Sequence, residues 1–171
     1  MSEIEIEIDG HLVKASQGDS IISIADREGI DVPRFCYHKK LSVAANCRMC
    51  LVDVEGIPKA QPACSTPAAN GMKINTKNDK AKFAQKAVME FLLINHPLDC
   101  PICDQGGECE LQDVAMEYGS DVSKFNLGKR IVPDKGIGAL IQTDMTRCIH
   151  CTRCVRFGAE VAGIVEMGGT G

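Results

Sequence analysis

The sequence predicts an α+β fold whose loops are organised by metal, and three observations predict it. An alternation of apolar and charged residues with a two-residue turn opens the chain. One long amphipathic helix lies in its middle, and its ten cysteines fall into three tight groups. At 171 residues the chain can hold one compact domain or two or three small ones sharing an interface, and a hydrophobic content of 44% allows a core.

Residues 4–15 read as a β-hairpin. Ile4, Ile6 and Ile8 alternate with acidic residues, Asp9-Gly10 supplies the turn, and Leu12-Val13 resume the apolar pattern. Asp19 or Ser20 can cap a short helix over 21–28, which Gly29 stops. Residues 51–54 read as a strand and 58–62 as at most an edge piece, because proline cannot donate to a ladder. Together they make a small α+β unit ending near Ile74. Next, Ala84, Ala87, Val88, Phe91, Leu92 and Asn95 fall at helical spacing, with Lys77, Lys80, Lys82 and Lys86 mostly facing away. That helix is expected to end at His96, ahead of Pro97. A second helix is expected over 109–118, closed by Gly119, then a loop over 125–138. A short strand over 139–143 and a helix over 155–162 complete the chain.

Composition excludes several classes. A net charge of -4 and aromatics at 4%, with no Trp, remove the electrostatic and stacking cases for nucleic-acid binding. The opening MSEIEIEIDG has neither a basic nor an apolar region, so it is not a secretory signal. The longest apolar run, around 88–94, is broken by Glu90. A soluble, cytosolic protein is expected, and in that compartment ten cysteines point to metal rather than disulfides. No G-x-G-x-x-G follows a strand: GIGALI and EMGGTG both lack the pattern, and no catalytic triad or carboxylate pair stands out.

The cysteine spacing carries the chemistry. Cys36, Cys47, Cys50 and Cys64 form C-x10-C-x2-C-x13-C. Four thiolates on a long loop, a tight pair and a distant return suit a [2Fe–2S] cluster, as in the plant-type ferredoxins but with a longer loop. The alternative is a structural zinc, which usually takes two short knuckles where this group has one. His96, Cys100, Cys103 and Cys109 lie within HPLDCPICDQGGEC, where Gly106-Gly107 permits close backbone approach. That set suits either zinc or a [4Fe–4S] cluster with one imidazole ligand, and its neighbours favour iron. Cys148, Cys151 and Cys154, in CIHCTRC, form the three-cysteine core of a bacterial-type [4Fe–4S] site. The ten cysteines are then used up and the fourth ligand is missing. With the ending GGTG after a helix, a fragment of a longer chain is expected. Arg147, Arg153 and Arg156 surround this last group, either offsetting cluster charge or forming a solvated basic face.

The run HPLDCPICDQGGECELQDVAMEYG, with CRMCLVDVEG before it and MTRCIHCTRCVRFGAEVAG after it, resembles the large iron–sulfur subunits of respiratory complex I. The resemblance covers essentially the whole chain. It implies a β-grasp [2Fe–2S] ferredoxin-like domain over 1–76, a [4Fe–4S] domain with histidine and cysteine ligands over 77–129, and the start of a 4Fe–4S ferredoxin-type domain over 137–171. Carried onto this sequence, it assigns Cys36, Cys47, Cys50 and Cys64 to the [2Fe–2S] cluster. It assigns His96, Cys100, Cys103 and Cys109 to the next cluster, and Cys148, Cys151 and Cys154 to three positions of the last, whose fourth ligand lies further on in relatives. It implies a relay of single electrons from the NADH/FMN-binding subunit toward quinone, coupled to proton pumping. The chain itself would hold no NADH site and no membrane insertion, and would lie peripherally on the cytoplasmic face of the inner membrane through its partners. Two other readings compete: an accessory electron-transfer subunit of an NAD-linked hydrogenase or formate dehydrogenase, and a zinc-bound structural module.

Overall fold

The computed structural model describes residues 2–169. Met1 of the opening run and Thr170-Gly171 of the GGTG ending lie outside the described residues.

The opening hairpin forms as the alternation dictates. Strand β1 (Glu3–Ile8) pairs antiparallel with β2 (His11–Ser16), in a register that sets Ile6 against Val13. The turn needs two residues with positive φ, and Asp9 and Gly10 stand at 50° and 85°. Asp9 also accepts from the Thr76 amide at 2.7 Å, tying the turn to the end of the sheet. Helix α1 (Ile21–Arg27) starts on Ser20, whose side chain accepts from the Ser23 amide, and buries Ile21, Ile22, Ile24 and Ala25. Strands β3 (Leu51–Val54), β4 (Gln61–Pro62) and β5 (Lys73–Asn75) complete one five-stranded sheet of order β2-β1-β5-β3-β4. β1 and β5 run parallel and the other pairings are antiparallel, with proline-bearing β4 at the edge. This mixed sheet grasping one helix is the β-grasp arrangement expected from the sequence. Its core joins the isoleucines of β1 and α1 to Val52, Val54 and Ile74, and it includes Cys50 and Cys64.

Helix α2 (Asp79–Leu93) starts on Asn78, whose Oδ1 accepts from the Ala81 amide at 3.0 Å. It ends at Leu93, short of the expected His96, and its buried face is not the expected one. Ala81, Gln85 and Met89 are fully buried, Val88 and Leu92 partly, while Ala87, Phe91 and Asn95 are exposed. The stripe is rotated because Gln85 is polar yet faces inward, its Nε2 donating to the Leu51 carbonyl at 3.0 Å. Lys80 does not face away either: its Nζ reaches Asp53 and the Ile57 carbonyl, each at 2.6 Å.

Helix α3 (Glu110–Tyr118) begins on Cys109 and closes at Gly119, as expected, with Glu110 and Asp113 near its positive end. The strand expected over 139–143 does not form. Leu140 and Ile141 are 98% and 67% exposed, and the segment pairs with no strand among the described residues. The last helix, α4 (Arg153–Phe157), starts two residues earlier than expected and runs into a π-helical turn over Gly158–Ala162. A second apolar core, separate from that of the sheet, gathers Phe35, Met49, Met89 and Leu111. Cys47, Cys109 and Cys151, one cysteine from each sequence group, pack against it.

Candidate metal centres

In the first group, Cys36, Cys47 and Cys50 lie in the loop between α1 and β3, and Cys64 follows β4. Cys36, Cys50 and Cys64 are buried and Cys47 is half-buried. Their thiols contact one another in the pairs Cys36–Cys47, Cys36–Cys64 and Cys50–Cys64. The loop turns tightly without glycine: Ala45 and Arg48 flank Cys47 with φ of 50° and 60°. For such residues that conformation costs about 1–2 kcal/mol each, and here it aims amides at sulfur. The Cys36 amide donates to Cys47 Sγ at 3.4 Å. Further amides, from Asn46 and Cys47 toward Cys36 and from Met49 toward Cys47, favour thiolate.

Proton sharing within this group follows from the contacts. Cys36 is drawn strongly down because the Cys47 and Cys64 thiols donate to it. Cys50 is lowered to about 7, chiefly by the Cys64 thiol. Cys47 and Cys64 are pushed up, first as donors in those contacts and then by burial. Four sulfurs this close cannot all ionise unless cations replace the protons, which is what metal does.

The second group surrounds a cavity of about 300 Å³, whose walls carry all four of His96, Cys100, Cys103 and Cys109. Leu93, Leu111, Ala115 and Phe125 supply its apolar lining. His96 follows the end of α2, Cys100 opens a 3-10 turn with Pro101, and Cys109 caps α3, so three elements aim the donors inward. The loop between them closes through Gly106. A Cβ there would stand 2.5 Å from the Cys100 carbonyl and 3.1 Å from that of Cys103, so the backbone approach requires glycine. Burial pushes His96 below its ordinary value, with Lys129 and Arg147 adding to the effect and Asp99 opposing it. The neutral imidazole this favours is the form that binds metal.

Cys148 and Cys151 lie on a winding segment leading into α4, and Cys154 is in its first turn. Cys148 and Cys151 are half-buried and Cys154 is exposed. His150 and Thr152, on either side of Cys151, have φ of 54° and 62°, and the His150 amide donates to Cys148 Sγ at 3.4 Å. This repeats the device of the first group. His150 itself is exposed.

Donor geometry bears on which metal fits. A structural zinc draws its sulfur and nitrogen donors to within about 2.0–2.3 Å of one point. Among the described residues no three His, Cys, Asp or Glu side chains meet in that way. The thiols of the first group contact in pairs, and the second group rings a space larger than one ion needs. Ligands divided among several irons are arranged like this, so the residues of both groups fit iron–sulfur clusters.

The sequence did not foresee how the groups are tied together. The arginines near the third group are not a solvated basic face. Arg147 lines the second cavity and pairs with Asp144 at 3.1 Å. Arg153 donates to the Tyr37 carbonyl at 2.9 Å and pairs with Glu110 at 3.1 Å. Arg156 donates to the carbonyls of Ser42, Cys36 and Cys151. Asn46 reaches the His150 carbonyl at 3.1 Å, and the Ser42 amide donates to Glu160 at 2.8 Å. No local pattern signals contacts between residues more than a hundred positions apart. A further groove is lined by Cys47, His96 and Cys148, one residue from each group.

Comparison with known proteins agrees with this picture. Residues 1–79 match the family of 2Fe-2S iron-sulfur cluster binding domains. Residues 85–124 match the NADH-ubiquinone oxidoreductase-G iron-sulfur binding region, and 138–171 the ferredoxin-like domain of NADH-quinone oxidoreductase subunit 3. The chain is 57% identical to an NADH dehydrogenase [ubiquinone] iron-sulfur protein 1, mitochondrial, of Solanum tuberosum, over 96% of its own length and 22% of that protein's. It is 55% identical to the NADH-ubiquinone oxidoreductase 75 kDa subunit of Reclinomonas americana, over 98% of the chain and 24% of the relative. With the mitochondrial 78 kDa subunit of Candida albicans it shares 53% identity over 100% of the chain and 24% of the relative. The chain thus spans about a quarter of the length of these relatives. Among solved structures, a chain of an NAD+-reducing [NiFe]-hydrogenase in the H2-reduced state superposes with a TM-score of 0.80 at 26% identity. That match covers 99% of this chain and 72% of the other.

Proposed function

Because the chain belongs to the family of NADH-ubiquinone oxidoreductase iron–sulfur subunits, we propose that it is an electron-transfer subunit of a complex I. In this reading it relays single electrons from the NADH/FMN-binding subunit toward quinone, in a complex that couples the transfer to proton translocation. The units run over residues 1–76, 77–129 and 137–171. Cys36, Cys47, Cys50 and Cys64 hold a [2Fe–2S] cluster. His96, Cys100, Cys103 and Cys109 hold a [4Fe–4S] cluster, and Cys148, Cys151 and Cys154 hold a second whose fourth ligand comes from elsewhere. When bound, the clusters supply one-electron redox chemistry at potentials set by ligands, hydrogen bonds and nearby charge.

The observation that carries this reading is the cavity walled by one histidine and three cysteines, together with four cysteines whose thiols neighbour one another in pairs. The residues do three things: they supply thiolates, they aim backbone amides at sulfur, and they shield the centres behind a shared apolar core. NADH oxidation and quinone reduction belong to partners. No helix among the described residues is long and apolar enough to cross a membrane. We place the chain peripherally on the cytoplasmic face of the inner membrane, held there by the complex.

A second reading, an accessory subunit of an NAD-linked hydrogenase, is favoured by the hydrogenase superposition. Its 26% identity against 53–57% for the complex I relatives sets it second. Iron, acid-labile sulfide and zinc per chain, with EPR of the reduced protein, test the proposal. About six irons with one [2Fe–2S] and one [4Fe–4S] signal support it, and about ten mean an outside ligand completes the last site. Zinc without sulfide overturns it. Co-purification with a hydrogenase large subunit instead of a quinone reductase selects the second reading.

A further inference from the structure

Arg156 occupies an unusual position between two of the proposed centres. Its Nη2 donates both to the Cys36 carbonyl and, at 3.2 Å, to the Cys151 carbonyl. Its Nη1 donates to the Ser42 carbonyl at 2.6 Å, and its Nε to Thr152 Oγ1 at 3.3 Å. All three nitrogens are therefore engaged, on loops from opposite ends of the chain. Only a planar guanidinium can serve so many acceptors at fixed angles, and it stays charged at any working pH. Arg147 and Arg153 have carboxylate partners within 4 Å, but among the described residues Arg156 has none. The carboxylate that feels its charge is Glu160, which lies beyond that distance and shares Ser42 with it.

We propose that Arg156 is a positioning residue shared by the first and third cysteine centres. Holding the Cys36 and Cys151 carbonyls on one nitrogen fixes the separation of the two ligand loops and sets a positive charge where both centres feel it. The proposal rests on the reading that Cys36 and Cys151 are cluster ligands. One-electron reduction adds a negative charge, and a fixed cation close by stabilises the reduced form of each centre. A lysine in its place keeps the charge but lacks the fork that joins the two carbonyls.

The test uses the intact complex carrying the full-length subunit, with Arg156→Gln, Arg156→Lys and, as control, Ser42→Ala. The control removes the Ser42 hydroxyl that donates to Glu160, changing no charge and touching neither cysteine carbonyl. Iron and sulfide content and the EPR signals of the unmodified complex check the ligand assignment first, and their absence would overturn that assignment and with it this proposal. EPR redox titration then gives the potentials of each centre, and spin–spin splitting between the reduced first and third centres reports their separation. With Arg156→Gln the potentials of the first and third centres fall together, that of the middle centre stays, and amides over 36–48 exchange at least tenfold faster. With Arg156→Lys the potentials recover in part while the fast exchange persists. Ser42→Ala leaves the potentials in place. Potentials that stay put in Arg156→Gln, or a shift confined to one centre, overturn the proposal. If Arg156→Gln fails to assemble, Arg156→Lys decides, and unaltered splitting with unaltered exchange overturns it.

Discussion

In the N-terminal sheet, Ile6, Ile8, Ile21, Ile22, Ile24, Val52 and Ile74 are each at most 1% exposed. Beyond Leu93, by contrast, Leu111 and Gly158 are the only buried positions among the described residues. There Leu98, Leu127, Ile131 and Leu140 are all more than 80% exposed. The first region can be held by apolar burial, at about 1.5–3 kcal/mol for each large side chain. The second has little to bury, and its loops carry seven of the eleven candidate ligands. A chain segment in that condition folds on metal, because ligation free energy takes the place of a core. The comparison teaches that one polypeptide divides into a part shaped by hydrophobic pattern and a part shaped by donor spacing.

Removing the metal breaks the comparison most sharply and has the largest expected effect. After anaerobic chelation, amides of β1, β2, β5 and α1 remain protected from hydrogen exchange, while those over 96–169 exchange as in an unfolded chain. Uniform loss of protection would show that the sheet also depends on its cluster. Next in size is Cys103→Ser, which removes one donor from the cavity wall of the second centre. The expected outcome is loss of the [4Fe–4S] signal and of electron transfer through the subunit, with the [2Fe–2S] EPR signal retained. Loss of both signals would mean that the apolar core shared by Cys47 and Cys109 makes the two regions one folding unit.

The same division explains what was legible in the sequence. The hairpin, its Asp9-Gly10 turn and the Ser20 cap were readable because each is a local pattern with a local cause. The ligand candidates stood out through spacing alone. The face of α2 was misread because Gln85, a polar residue, is wholly buried, and its reason for being inside is the Leu51 carbonyl on another element. The strand expected over 139–143 failed for the complementary reason. Its residues have strand character, but a strand must pair with another, and periodicity does not report whether the fold brings one alongside. For Arg156 the sequence left open a charge offsetting a cluster or a solvated basic face, because two of its partners, Ser42 and Cys36, lie more than a hundred residues away.

Gly106→Ala sharpens the contrast with a smaller change, since the added methyl would press on the Cys100 and Cys103 carbonyls. Overpacking of this kind costs about 1–3 kcal/mol. Here it acts on the second region alone. The [4Fe–4S] signal should broaden and its cluster be lost faster to chelator, with the thermal midpoint of the sheet unchanged. A Gly106→Ala protein that keeps its cluster as long as the unmodified chain would show that the loop relaxes freely.

The smallest effect is expected at the seam, where α2 leaves the sheet. Lys80 there joins Asp53 on β3 and the Ile57 carbonyl. The Asp53 carboxyl is held below its ordinary value of 3.8, first by Lys80 and then by the Asn78 amide, so it is the charged form that the fold favours. A carboxylate with a lowered folded pKa contributes fully above its unfolded value and loses that contribution as pH falls through the folded one. Lys80→Met should therefore cost about 1 kcal/mol for a half-exposed pair, and the cost should be constant between pH 5.5 and 8, a window above both values. Thermal midpoints of the two proteins across that window check it. A gap that narrows toward pH 5.5 would assign the effect to a group titrating near neutrality. A flat gap places it on Asp53 and on the first turn of α2, the part of that helix that belongs to the sheet rather than to the metal-organised region.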